Sequence, residues 1–267
     1  MIQLYLSSVH GLHSATAPTA AVIVSFTSIQ SRLHLCHLTV RSVLSGKKRP
    51  ELMVLWLSEK LKGKVPQSLL KLIGPRFEIR YEASDEPYLK LLPSLQAFPE
   101  RAIVTCDDDM MYAPDWLETL DVDHQRFPRD IITHECRKIE YDESGVTRPY
   151  GLWKQEQAYS VSYDALLPLG YAGVLYPAHS LHECVHDAAA YRALAPKADD
   201  LWFKFMSLRN GTAARRVSIA SGAPLMIAGS QTVSLWSSNS TLDGNRLQWE
   251  AITRQYGRPA ISAGNSQ

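Results

Sequence analysis

Three consecutive carboxylates, Asp107, Asp108 and Asp109, follow directly on the apolar run Ile103-Val104-Thr105-Cys106. The run reads as a buried strand, bounded by Glu100-Arg101 before it and by the acids after it. Burying unpaired carboxylates is costly, so the acids belong at the strand's end rather than inside it. There they can hold a hard divalent cation, Mn2+ or Mg2+, which prefers carboxylate oxygen and bridges to the phosphates of a substrate. The carboxyl end of a strand in an α/β sheet is also where such sheets bind ligands. The plainer alternative is a solvated acidic turn capping a helix that starts near Pro114.

A second acidic pair, Asp199-Asp200, opens the segment Ala198-Asp199-Asp200-Leu201-Trp202-Phe203. Acids at a helix N-terminus are favoured by the macrodipole alone. The functional alternative is a carboxylate that takes a proton from an acceptor hydroxyl, its pKa raised by aromatic neighbours. There is no GxGxxG after the first strand and no Walker sequence, so dinucleotide binding and P-loop hydrolysis are poor readings. A bound nucleotide would need its diphosphate neutralised by a metal and by bases. Arg32, past the first strand, and Lys90, before the acidic strand, can supply these; each taken alone reads more readily as a surface charge.

One rival is His182-Glu183-Cys184-Val185-His186, a literal H-E-x-x-H. On a helix its two histidines would share a face and could bind Zn2+, with Glu183 as general base of a hydrolase. Only three positions of that pattern are fixed, and a third ligand is not obvious beyond Asp199 or Asp200.

The elements that must carry these residues alternate. Ala21 to Phe26 is a β-branched strand, followed by helical spacing from Leu33 to Val43 that ends at Gly46. Glu51 to Leu57 is a second strand, Pro66 to Ile73 a helix, Phe77 to Tyr81 a strand, Tyr88 to Phe98 a helical stripe, and Ile103 to Thr105 the fourth strand. Such alternation predicts βαβ crossovers and a largely parallel sheet. Asp130 to His134 reads as a strand. Tyr141 to Ser160 reads as a long loop whose Tyr150, Trp153 and Tyr159 can stack on sugars or simply pack. Gly170 to Pro177 reads as a strand with a glycine turn. His182 to Leu194, Asp199 to Leu208 and Leu242 to Tyr256 read as helices, the last capped near Asn239 or Ser240.

At 267 residues, with 45% hydrophobic and 21% charged content, the chain has ordinary globular composition and length for a substantial core. A formal net charge of +1 argues against a general nucleic-acid binder. Cys36, Cys106, Cys136 and Cys184 are widely spaced, with neither a disulfide framework nor a zinc pattern, which points to a reducing compartment. No apolar stretch reaches the roughly 20 residues of a membrane helix. The expected location is cytoplasmic; a peripheral contact with the inner face of the membrane is compatible with that. Residues 1–19 read as a loose lead-in, 20–257 as the folded domain and 258–267 as a disordered tail.

Taken in order, these pieces resemble nucleotide-sugar-dependent glycosyltransferases of the GT-A fold over residues 20 to 220. The pieces are Val24-Ser25-Phe26-Thr27-Ser28 with Arg32, Tyr88-Leu89-Lys90-Leu91-Leu92-Pro93, Thr105-Cys106-Asp107-Asp108-Asp109 with Tyr112 and Trp116, Gly170-Tyr171-Ala172-Gly173-Val174-Leu175-Tyr176-Pro177, and Ala198-Asp199-Asp200-Leu201-Trp202. The chain looks like the bacterial family-2-like transferases, and Leu95 to Glu100 is similar to exostosin-like catalytic domains.

The resemblance implies an α/β, GT-A-like single domain with a mixed, mostly parallel central sheet flanked by helices. It implies that Asp107 to Asp109 are a DxD-type motif, with Asp109 the direct metal ligand, Asp107 beside it, and Asp107 and Asp108 facing ribose and sugar. Arg32 and Lys90 would contact nucleotide and Gly173 would lie in the acceptor-side strand. Asp200, or Asp199, would be the base for the acceptor hydroxyl in an inverting enzyme. The implied partners are a nucleoside-diphosphate sugar donor and a glycan or lipid-linked acceptor, with Mn2+ or Mg2+. No C-terminal metal-binding histidine is identifiable, which leaves the third protein ligand open. A zinc hydrolase, or a non-catalytic nucleotide- or carbohydrate-binding relative, remains the alternative.

Overall fold

In the computed structural model, residues 8–230 and 243–259 are described. A seven-stranded sheet forms the centre. In chain order its strands are β1 (Thr19–Thr27), β2 (Arg49–Ser58), β3 (Phe77–Glu82), β4 (Ala102–Thr105), β6 (Ile131–Thr133), β9 (Val174–Tyr176) and β10 (Ala214–Arg216). The spatial order is β10-β6-β9-β4-β1-β2-β3. All pairs are parallel except those of β9, which runs antiparallel to both β4 and β6. This is the mixed, mostly parallel sheet flanked by helices that the GT-A resemblance implies.

The period-two geometry of strands sorts their side chains into two cores. Val22, Val24 and Phe26 of β1, with Met53, Leu55 and Leu57 of β2, face one layer. That layer holds α1 (Val9–Leu12), α2 (Cys36–Leu44), α3 (Gln67–Leu70) and α5 (Trp116–Arg126). Ile23, Val54, Trp56 and Ile103 face the other. It holds α4 (Leu92–Ala97), α6 (Ala188–Leu194), α7 (Asp199–Arg209) and α8 (Gly244–Tyr256). Central strands buried on both faces must be apolar throughout, which is why β1, β2 and β4 read as continuous runs. α7 is buried along nearly its whole length, so it lacks an exposed polar stripe.

Two small antiparallel pairs lie outside the main sheet: β5 (Met110–Met111) with β11 (Leu225–Met226), and β7 (Cys136–Lys138) with β8 (Leu166–Pro168). Neither pair is foreseen by periodicity, because two- and three-residue strands carry no readable period.

Several elements differ from the sequence expectation. The helical stripe from Tyr88 splits into a 3-10 turn, Pro87–Lys90, and the short α4; Pro93 lacks the amide that a continuous helix would use there. The expected strand from Gly170 begins as a 3-10 turn, Gly170–Ala172, and becomes β9 only at Val174. The expected helix from His182 is a 3-10 turn, Glu183–His186, broken at extended Asp187, whose side chain then caps α6. The expected caps Asn239 and Ser240, part of the lead-in and most of the tail lie outside the described residues; Asp243 stands at the N-cap of α8. No helix among the described residues is long and apolar enough to cross a membrane.

Candidate active site

The register of three strands assembles the site. β1 and β4 run parallel with Ser25 opposite Thr105, so the residues after each strand emerge side by side. β9 runs the other way with Val174 opposite Thr105, so the turn before β9 arrives at the same edge. Ser28 and Arg32, the acids 107–109, and Gly170 to Gly173 are therefore brought together at the carboxyl end of β4, the place where open α/β sheets hold ligands.

Asp108 is the most buried of the three acids, with its side chain 2% exposed. Its carboxylate accepts from Arg32 Nη2 at 3.0 Å and Nε at 3.1 Å, and from the Ser28 hydroxyl. Cys36 Sγ donates in turn to Ser28 Oγ at 3.0 Å, and Thr39 Oγ1 donates to the Asp108 carbonyl at 2.9 Å. Asp109 is buried beside it and pairs with Arg32 Nη1 at 3.2 Å, while its carbonyl accepts from the Ile227 amide at 2.8 Å. Arg32 thus spans both acids. Loss of hydration raises the Asp108 carboxyl to about 6, against the opposing charge of Arg32.

Asp107 is the most open, its side chain 35% exposed. Its amide donates to Tyr112 Oη at 2.9 Å, and that hydroxyl donates to the Tyr171 carbonyl at 2.8 Å. Enclosure by protein raises the Asp107 carboxyl to about 7; Lys90 opposes the rise, and Asp109, Asp200 and Asp199 add to it.

Lys90 is the hub. Its ammonium is buried and lies 2.6 Å from Asp199 Oδ2, 3.1 Å from Asp200 Oδ1 and 3.9 Å from Asp107 Oδ1. These three acids hold the lysine protonated, well above its ordinary value, against the opposing cost of burial. The second Asp200 oxygen accepts from the Gly170 amide at 2.9 Å. A Cβ on Gly170 would come within 2.5 Å of Lys90 Nζ and 2.7 Å of Asp200 Oδ1, so only glycine lets the backbone approach this closely. Of the pair, Asp200 is the more accessible, 28% against 12% for Asp199.

Beneath the turn, Trp116 Nε1 donates to the Ala172 carbonyl at 2.7 Å and its ring packs on Tyr112. Gly173 has φ +108°, and any side chain there would run into the Trp116 ring. Its role here is to let the chain turn over that indole. Trp153 is buried in the core, whereas Tyr150 is partly buried and Tyr159 exposed beneath the Arg216 guanidinium.

The structure therefore brings together Arg32, Lys90, Asp107, Asp108, Asp109, Asp199, Asp200 and Gly173. Ser28, Tyr112 and Gly170 join them as supporting groups that the sequence quotes but does not single out.

The H-E-x-x-H segment does not form the α-helix its chemistry requires. His182 Nδ1 accepts from the Cys184 amide at 3.2 Å, and His186 faces Gln96. Among the described residues, no three His, Cys, Asp or Glu side chains are grouped to hold a metal ion. All four cysteines are free. Two surface depressions flank α8, and neither includes a candidate site residue.

No protein-family model and no curated protein matches the chain. Among solved structures, the chain is similar to the 4-diphosphocytidyl-2C-methyl-D-erythritol synthase of Anaerococcus prevotii. The identity is 13%, covering 84% of this chain and 96% of that one, with a TM-score of 0.48. A likeness that distant carries nothing about chemistry, which has to be read from the site itself.

Proposed function

We propose that the chain is a nucleotide-sugar-dependent glycosyltransferase. It moves a sugar from a nucleoside-diphosphate donor to a hydroxyl of a glycan or lipid-linked acceptor, as bacterial surface polysaccharide synthesis requires. One observation carries the reading. The Lys90 ammonium gathers Asp107 with Asp199 and Asp200, acids from two distant parts of the chain, at the carboxyl end of the sheet. A carboxylate able to accept a hydroxyl proton thus stands beside carboxylates able to hold a diphosphate-bound cation.

The residues fit such a cation by charge. Asp107, Asp108, Asp109, Asp199 and Asp200 are gathered about two cations, Lys90 and Arg32; burial raises the Asp107 and Asp108 carboxyls, and neighbouring acids add to the rise. Mg2+ and Mn2+ are commonly held by one or two carboxylates, with substrate phosphates and water completing the shell. Asp107 and Asp109 would be the protein ligands. When bound, the ion supplies Lewis-acid relief of charge on the leaving diphosphate.

The chain's own groups account for the rest. Asp200, fixed by Lys90 and the Gly170 amide, accepts the acceptor hydroxyl proton as that oxygen bonds to the anomeric carbon and the bond to the phosphate oxygen breaks. This assignment of the base is for an inverting transfer. Asp199, more enclosed and closer to Lys90, keeps the ammonium in place. Arg32 is engaged with Asp108 and Asp109, so its contribution is to order the acidic turn.

The test is calorimetric titration of UDP and GDP, with and without Mn2+, on wild type, Asp107→Asn and Asp109→Asn. Metal-dependent binding that is lost in both variants supports the reading and identifies the base. Absence of nucleotide binding with either base would refute it.

A further inference from the structure

The wall beyond Asp200 contains charged side chains that this reaction does not use. The Leu169 amide donates to the Glu135 carbonyl at 3.0 Å, so the β7–β8 pair runs directly into the Gly170 turn that holds Asp200. The Tyr171 hydroxyl donates to the Glu135 carboxylate, which also accepts from Gln155 Nε2 at 2.9 Å.

Arg137, on β7, lies with its guanidinium 4.9 Å from the centre of the Tyr150 ring. Burial raises the Tyr150 hydroxyl; the Arg137 charge and Asn245 oppose the rise and the Asp200 charge adds to it. Arg137 therefore lies on β7, the strand that leads into the turn holding Asp200, and stacks on a ring that feels the Asp200 charge. Its Nη1 donates to the Trp153 carbonyl at 2.9 Å, and among the described residues no carboxylate pairs with it. Among the described residues, nothing accepts from its Nε or Nη2.

A guanidinium fixed by a ring and a carbonyl, with the nearby Glu135 carboxylate turned to Tyr171 and Gln155 instead, is pre-organised for a planar or tetrahedral oxyanion. A neutral sugar would leave that charge unanswered. The five carboxylates around Lys90 and Arg32 would repel an anionic acceptor unless a cation stood on the acceptor's side.

We infer that Arg137, held by Tyr150, forms an acceptor subsite for a sugar that carries an anionic group, a carboxylate or a phosphate, near its reacting hydroxyl. The word acceptor rests on the transferase reading; the preference for an anion beside Asp200 does not.

The experiment is ligand-observed NMR titration of methyl glucuronide, glucose 6-phosphate and methyl glucoside at pH 7.5 and 0.15 M salt. Mg2+ and a saturating nucleoside diphosphate keep the donor side filled. Wild type, Arg137→Gln and Arg137→Lys are compared, with nucleotide binding and thermal melting recorded on the same samples. One or both anionic ligands should bind about ten-fold or more tighter than the neutral glucoside, the scale of charge-assisted hydrogen bonds. Arg137→Gln should reduce them to the level of the neutral sugar, and Arg137→Lys should restore part of the preference. The tighter of the two anions identifies carboxylate or phosphate as the natural group. Equal binding of all three ligands, no binding of any, or an unchanged preference in folded Arg137→Gln would overturn the inference. Failure of wild type to bind nucleotide counts against the transferase reading alone, because the anion preference is read without turnover.

Discussion

Replacing Lys90 by glutamine removes the one ammonium that faces Asp199 at 2.6 Å, Asp200 at 3.1 Å and Asp107 at 3.9 Å. At an effective dielectric near 20 these separations correspond to roughly 4 to 6 kcal/mol of Coulomb attraction each, before desolvation is counted. The net loss is smaller, because burying the ammonium was itself costly. Removing one partner from a buried ionic cluster typically costs about 3 to 5 kcal/mol. The acids can recover part of this by taking up protons. Burial raises the Asp107 and Asp199 carboxyls and Lys90 holds them down, so its removal pushes both further up. A folded-state carboxyl above its unfolded value contributes stability at low pH that is lost as pH rises through the raised value. The deficit of Lys90→Gln should therefore be largest near pH 8 and shrink by pH 5. Adding Asp199→Asn to it should recover stability rather than lose more. Urea denaturation of the two single variants, the double variant and wild type at both pH values gives the cycle. A deficit under about 1 kcal/mol, the scale of a surface pair, with additive single effects and no pH dependence, would refute the hub.

Three further outcomes follow from the same geometry. Gly170→Ala places a methyl against Lys90 Nζ and Asp200 Oδ1; it should cost about 1 to 3 kcal/mol of stability in urea melts and abolish transfer while nucleotide binding persists. Loss of nucleotide binding as well would mean that the turn supports the donor side. Mn2+ or Mg2+ with a nucleoside diphosphate should raise the melting temperature more at pH 8 than at pH 5, because protons compete for Asp107, raised to about 7. An equal shift at both values would count against Asp107 as part of the cation's seat. Lys204, 2% exposed and with no hydrogen-bond partner for its ammonium among the described residues, is lowered to about 7 by burial. Between pH 7 and the ordinary lysine value its unfolded state holds the extra proton, so stability rises with pH across that window. Lys204→Met should flatten that slope and stabilise the protein by about 1 to 3 kcal/mol near pH 7, measured by urea melts at pH 7 and pH 9.

The strands that pattern makes legible are those buried on both faces. Ala21 to Phe26 and Glu51 to Leu57 read as apolar runs because Ile23 and Val54 meet one helical layer while Val24 and Leu55 meet the other. Periodicity misleads where a segment changes state within a few residues. Leu91, Leu92 and Leu95 keep helical spacing although the chain shifts from a 3-10 turn to α-helix between Lys90 and Leu92, because both states bury the same stripe. His182 to Leu194 fails for a related reason. Asp187 is a better N-cap than a mid-helix residue, and its side chain takes the Ala190 amide, so the two histidines are never placed one turn apart.

The site was legible as a set of residue types and illegible as a set of partners. Arg32 and Lys90 look alike in the sequence, each a lone cation beside a strand or stripe, and each invites pairing with a phosphate. Which anion each meets depends on long-range register. Parallel pairing of β1 with β4 delivers Arg32 to Asp108, while the antiparallel return of β9 delivers Gly170, and with it Asp200, to Lys90. A one-residue slip of β9 against β4 would exchange Val174 and Tyr176 with Leu175 between the two cores and move Gly170 off Asp200, so the fit of these three side chains in their cores also specifies where the candidate base sits. The dependence runs in both directions. The antiparallel strand was the part of the sheet that alternating elements could not predict, and it is the part on which the position of Asp200 rests.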